Sequence, residues 1–177
     1  MSIKKTYQIG TKVIRSHANE VRKFNNPAIQ KTIRDLIDSM RHNNLVGMAA
    51  PQIGKELRIF VTEIRKTKFR KAVKEDKLRT FINPRIVKKS KRQVIGFEGC
   101  GSVAAAGLFG QVRRSESVEV SAFNAKGQPF RLKADSLLAR IIQHEIDHLN
   151  GIVFIDHVSD TRTLLDRETY IESQKNK

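Results

Sequence analysis

Tryptophan is absent from this 177-residue chain, and cysteine occurs once. A single cysteine excludes a disulfide framework and fits a reducing compartment. No apolar run approaches the roughly twenty residues that a membrane span needs. The opening Met-Ser-Ile-Lys-Lys-Thr-Tyr has no apolar signal core, and a transit peptide would be longer and richer in Arg and Ser. A cytoplasmic protein with no membrane partner is expected. Acidic residues are also scarce: 18 Asp and Glu face 34 Lys and Arg, leaving a net charge of +16. Such an excess predicts attraction to polyanions, with ribosomal RNA the first candidate. Yet the cations are spread along the chain, aromatics are only 6% of residues, and no nucleic-acid-binding motif is present. The densest run, Arg65 to Lys77, contains Glu75 and Asp76 and reads as a solvated loop or hairpin tip.

The length suits one domain, residues 1–177, able to bury a real core. No internal repeat, low-complexity tract or linker divides it. After a mixed lead-in over residues 3–24, Asn26-Pro27 predicts a helix start, with Asn capping and Pro at the first helical position. Its apolar stripe is Ile29, Ile33, Leu36, Ile37 and Met40, and Asn43-Asn44 ends it. Strands are predicted at 57–64, 81–87 and 93–97, with 103–114 as a loop. A hairpin spans 117–123 and 129–133 around Asn124-Ala125-Lys126-Gly127. A short apolar strand is expected at 152–155, and 160–177 is a polar tail, helical or flexible. This order predicts an α+β fold, with mixed or antiparallel sheets around one buried helix in the C-terminal half.

That helix runs from Asp135, a plausible N-cap, to Leu149, with Gly151 suited to the left-handed residue that follows a helix. Leu137, Ile141, His144 and His148 recur at helical spacing and predict one shared, buried face, leaving Arg140, Gln143 and Asp147 for less buried directions. His144, Glu145 and His148 spell His-Glu-x-x-His. Two imidazoles four residues apart can grip one metal ion, and the intervening glutamate can act as general base on a water. Without a metal, these would be two hydrogen-bonded core histidines beside a surface glutamate.

A third ligand is needed. Phe154 stands where many zinc proteases with this motif place their third His, so that source fails. Glu168 lies at a suitable distance but in the polar tail. Cys100 remains, flanked by glycines in Glu-Gly-Cys-Gly-Ser, and thiolate is a strong ligand for Zn²⁺ and Fe²⁺. A second uncharged stretch, Val46 to Gly54, contains Gln52, whose side-chain amide can donate to a developing oxyanion; alternatively it is an ordinary turn.

Three stretches together resemble the peptide deformylases. The family motif Gly-x-Gly-x-Ala-Ala-Pro-Gln fits Leu45–Gln52 except at its first position, which is Leu45 here. Glu-Gly-Cys-x-Ser fits Glu98–Ser102, with Gly101 at a variable place often filled by Leu. Gln-His-Glu-x-x-His fits Gln143–His148. Similarity extends from about Gly10 to Val158, and the Val-Ala run after Ser102 looks closer to the organellar-type branch than to the commonest bacterial pattern.

The resemblance implies hydrolysis of the N-formyl group from the initiator methionine of new polypeptides. It implies one Fe²⁺, replaceable by Zn²⁺, Ni²⁺ or Co²⁺, on Cys100, His144 and His148. Glu145 would move the proton, while Gln52 and the Gly101 N–H would hold the oxyanion. The formylmethionyl peptide would lie extended along Val46, Gly47 and Gly99. Leu137 and Ile141, with Val46, are the expected pocket for its methionine side chain. Two rivals share some of these features. An endopeptidase using the same histidines is opposed by Phe154 and Cys100, and a non-catalytic RNA-associated relative by Glu145 and Gln52.

Overall fold

The computed structural model describes residues 2–66 and 74–175. Its strands are β1 (Gly47–Ala49), β2 (Ile59–Ile64), β3 (Asp76–Lys89), β4 (Gln93–Gly99), β5 (Leu108–Ser115), β6 (Ser117–Phe123), β7 (Pro129–Asp135) and β8 (Leu165–Asp166). The helices are α1 (Lys12–Arg15), α2 (Pro27–His42), α3 (Ser136–Leu149) and α4 (Arg167–Lys175). A five-stranded antiparallel sheet has the order β1-β2-β3-β6-β7, and a three-stranded antiparallel sheet the order β4-β5-β8.

The larger sheet is buried on both faces. Along β2, Ile59 and Val61 pack with Ile33, Leu36 and Met40 of α2, whereas Phe60 joins Ala139, Ile142, Ile146 and Leu149 of α3. The Phe60 ring stacks on Phe81 at 4.4 Å between centroids. Burying each such aliphatic or aromatic chain contributes about 1.5–3 kcal/mol. The opposite side of α3 then faces the smaller sheet. Arg140 donates to the carbonyls of Val94 (3.0 Å) and Val112 (3.0 Å), and Gln143 exchanges hydrogen bonds with the Ser115 backbone. So α3 bridges the two sheets, which is what makes this the expected α+β domain.

Several local expectations hold. The Asn26 side chain accepts the Ala28 N–H at 2.8 Å with Pro27 opening α2. The β6–β7 hairpin forms in full register. Gly151 takes φ +74° just after α3, where a side chain would collide with the Arg15 carbonyl.

Others need correction. Residues 103–114 are not one loop: after a short turn they form β5, paired with β4 along its whole length. Its inward positions include Gly110 and Arg114, so no apolar alternation announces it. Residues 152–155 make no strand. A 3-10 turn over Phe154–His157 takes their place, closed by the Val153 N–H on Asp156 Oδ2 at 2.9 Å. Asp135 does not cap α3 with its side chain, because it is still paired with Ser117 in β7 and the chain turns at Ser136, φ +51°. Leu137, on the first turn beyond the sheet, is 39% exposed, whereas Gln143 is buried at 5%. The polar tail supplies β8 and α4. Of the basic run 65–77, residues 67–73 lie outside the described residues; Asp76 and Lys77 already belong to β3.

Candidate active site and metal centre

Helix α3 places His144 and His148 one turn apart, with ring centroids 5.0 Å from each other. Cys100 arrives from the other sheet, one residue beyond β4, and its Sγ lies 3.1 Å from His148 Nε2. One donor atom from each of Cys100, His144 and His148 falls within 4.8 Å of the others. Sulfur with two imidazole nitrogens suits Zn²⁺ and Fe²⁺ alike. Glu168, the other candidate ligand, is exposed on α4.

The surrounding charges act on these candidate ligands. Glu98, two residues before Cys100, is 6% exposed and accepts His144 Nδ1 at 2.9 Å. That bond assigns the proton to Nδ1 and leaves the Nε2 lone pair for a metal. The same carboxylate receives Arg114 at 2.9 and 3.0 Å and Arg140 at 2.8 Å. Arg114 also reaches Asp147 at 2.5 Å. Burial opposes ionisation of Glu98, but hydrogen bonds from His144 and Arg114 hold its carboxyl well below the usual carboxylate range. Burial likewise opposes a thiolate at Cys100, yet His148 and His144 beside it hold the thiol well below its ordinary value. The thiolate is the form that ligates.

Glu145 is 4% exposed and faces Gly47. A Cβ at Gly47 would collide with Glu145 Oε1 and come within 2.9 Å of Ile141 Cγ2, so only glycine fits. Burial raises the Glu145 carboxyl to about 7, against the opposing pull of His144 and His148. Its Oε2 is buried with no hydrogen-bond partner among the described residues, as expected of a group that meets a reactant.

Gln52 follows β1 in a 3-10 turn and is 2% exposed. Its Oε1 accepts the Ala49 N–H at 2.8 Å, which turns Nε2 toward Cys100 Sγ (3.6 Å) and Ser102 Oγ (3.3 Å). The amide is thus oriented as a donor at the metal cluster. Gly101 lies between Gln52 and Leu45, with Gln52 Nε2 4.0 Å from the place of a Cβ. Gly47 opens the outer strand of the large sheet with Val46 just before it, Gly99 ends the outer strand of the small one, and Ile141 on α3 packs against Gly47. Leu137 lies farther out on the same helix, exposed.

Sequence reading gave no role to Glu98, Arg114 or Gln8. Glu98 had a signal, its place in Glu-Gly-Cys, whereas Gln8 had none: its Nε2 bonds the Gly101 carbonyl at 2.8 Å across a separation of 93 residues.

Known proteins are similar to this chain in sequence and fold. A family model described as polypeptide deformylase matches residues 3–163. A peptide deformylase of Prochlorococcus marinus is 38% identical over 160 residues, 90% of this chain and 75% of its own length. One from Thermomicrobium roseum is 45% identical over 136 residues, 77% of this chain and 75% of its own. Among solved structures, the Met-Ala-Ser-bound class I type b peptide deformylase of Acinetobacter baumannii superposes with TM-score 0.84 at 30% identity, covering 89% of this chain and 100% of that one. A Synechococcus elongatus peptide deformylase in complex with actinonin gives TM-score 0.79 at 31% identity, covering 99% of this chain and 87% of that one.

Proposed function

The chain belongs to the peptide deformylase family, metal-dependent hydrolases that remove the N-formyl group from nascent chains, and from that premise we propose that Cys100, His144 and His148 hold its metal while Glu145 and Gln52 carry the chemistry. The observation that carries this reading is the convergence of one thiolate and two imidazoles within 4.8 Å beside a buried glutamate whose Oε2 has no hydrogen-bond partner among the described residues.

A divalent ion held there supplies Lewis acidity, making water a nucleophile near neutral pH and polarising the formyl carbonyl. Fe²⁺ is the proposed resident, with Zn²⁺, Ni²⁺ or Co²⁺ able to replace it. Glu145, with its carboxyl near 7, accepts a proton from the attacking water and returns one to the leaving amine nitrogen. Gln52 Nε2, fixed through Ala49, and the Gly101 backbone N–H donate to the oxyanion as the carbonyl carbon becomes tetrahedral. Glu98 holds His144 in the ligating tautomer.

An N-formylmethionyl peptide lies as an extended strand between the backbone of Val46 and Gly47 on one side and Gly99 on the other. Both flanking strands are outermost in their sheets, which suits addition of a peptide strand. Val46 and Ile141 form the wall for the methionine side chain, with Leu137 at its rim. No helix among the described residues is long and apolar enough to cross a membrane. We further place the protein in the cytoplasm, its +16 charge favouring ribosomal RNA at the site of chain synthesis.

Formate release from a formyl-Met tripeptide, with protein prepared without oxygen and loaded with Fe²⁺ or Ni²⁺, tests the reading. Release that disappears in Glu145→Ala is the expected result. No release from folded protein carrying stoichiometric metal would overturn it.

A further inference from the structure

Leu45, where the chain leaves its first motif, and Gly101, at the variable place of the second, meet in space. A Cβ added to Gly101 would lie 3.2 Å from Leu45 Cδ1 and 3.6 Å from Thr6 Cγ2. The Gly101 backbone is not in the left-handed region, so its conformation does not demand glycine. What occupies the space of a larger residue is the Leu45 side chain. Leu45 is itself well anchored: its N–H donates to the Met40 carbonyl at 3.0 Å, and its carbonyl accepts Arg65 Nη2 at 3.1 Å.

We propose that Leu45 supplies, from the other motif, the apolar cover that position 101 lacks, and so positions the Gly101 peptide as an oxyanion donor. The inference rests on the deformylase reading above. Glycine gives a loop more conformations to lose, and this loop needs restraint. Ala104, Ala105 and Ala106 all have positive φ, between 47° and 62°, a region that strains residues other than glycine. Gln8 pins the Gly101 carbonyl and the Ala105 N–H, at 2.8 and 2.9 Å. Leu45 covers the Cα side that Gln8 leaves open. Leu45 is a positioning residue, acting through the Gly101 peptide.

A reciprocal exchange tests this. With metal-loaded wild type active, L45G should lower kcat roughly tenfold with KM nearly unchanged, because only a transition-state contact loosens. The amide of residue 101 should exchange faster with solvent in L45G. G101L alone should also lose activity, since a Cβ there already lies 3.2 Å from Leu45 Cδ1 and the larger side chain would require Leu45 to move. The double variant L45G/G101L should recover at least half of the lost rate and the slow amide exchange. Metal content and thermal midpoint, measured on every variant, separate positioning from misfolding, and L45A serves if L45G does not fold. If the effects of the two substitutions simply add in kcat and in exchange while wild type turns over, the exchange is wrong and the deformylase reading stands. An inactive, metal-loaded wild type would sink that reading instead, with amide exchange still reporting on the packing.

Discussion

Replacing Glu98 by Gln probes how the ligands are held. Glu98 and Asp147 are the two carboxylates that face Arg114 and Arg140, and Glu98 also accepts His144 Nδ1. The substitution keeps the volume but removes one charge, leaving an excess guanidinium charge beneath a divalent cation. Every neighbour of Glu98 in this cluster is a donor. Whichever way the new amide turns, its NH2 meets a guanidinium or the His144 Nδ1–H. Relief at His144 requires moving that proton to Nε2, which removes the lone pair that binds metal.

The side chains of Glu98 and Arg114 are only 4% and 5% exposed, so solvent screens little of the loss. Breaking such a buried pair from one side costs about 3–5 kcal/mol. That is a large part of the roughly 5–15 kcal/mol that holds a domain together. At 2–4 °C per kcal/mol for this chain length, the thermal midpoint should fall by on the order of 10 °C. Metal affinity should weaken roughly 10–100-fold, the usual cost of losing a hydrogen bond behind a ligating histidine. Calorimetry on the metal-loaded protein and competition with a chromogenic chelator measure the two quantities. A Glu98→Gln protein with parental midpoint and affinity would refute the assignment of Glu98 as the group that orients His144.

Four further outcomes are expected. Glu145→Gln should retain metal and lose kcat by roughly 10²–10⁴-fold, read as formate release at saturating substrate. Gln52→Ala should slow turnover roughly a hundredfold or more, and thermal melting should also show the Ala49 N–H left without its acceptor. Gly47→Ala should displace Glu145 and lower kcat/KM at least tenfold, because its Cβ would overlap Oε1; parental activity would refute the close packing. Tyr170 stacks on Phe109 at 4.1 Å, and the Phe109 ring lies 2.5 Å from the place of a Gly99 Cβ. Tyr170→Ala should therefore raise KM for longer formyl peptides while costing about 0.5–1.5 kcal/mol of stability, checked by steady-state kinetics and chemical denaturation.

The core elements were legible where one rule controlled them. α2 has its cap, proline and stripe in sequence, and the β6–β7 hairpin has its turn. His144 and His148 were legible because a four-residue spacing on a helix fixes their geometry, and Cys100 because glycines flank it. β5 was not, since its inward row includes Gly110 and Arg114, whose burial depends on Arg114 meeting Glu98 on the neighbouring strand. Leu137 was misread as buried because periodicity extends a face to the helix end, whereas α3 begins beyond the sheet that would have covered it. Gln8 and Leu45 were invisible as partners of Gly101 because local pattern carries no information about contacts between distant segments.

The two histidines look equivalent in the motif, but different forces aim them. His144 is held by a hydrogen bond to Glu98, hence by the charge balance that also docks α3 on the small sheet through Arg114 and Arg140. His148 is fully buried, and its Nδ1 has no partner among the described residues, so packing and the contact of its Nε2 with Cys100 Sγ at 3.1 Å fix its ring. Salt and charge-altering substitutions around the small sheet should therefore act on the metal through His144. Cavity-forming substitutions near His148 should act through the core. In this fold the contacts that join the two sheets also orient one of the proposed metal ligands, so metal affinity and domain stability should be coupled on the His144 side.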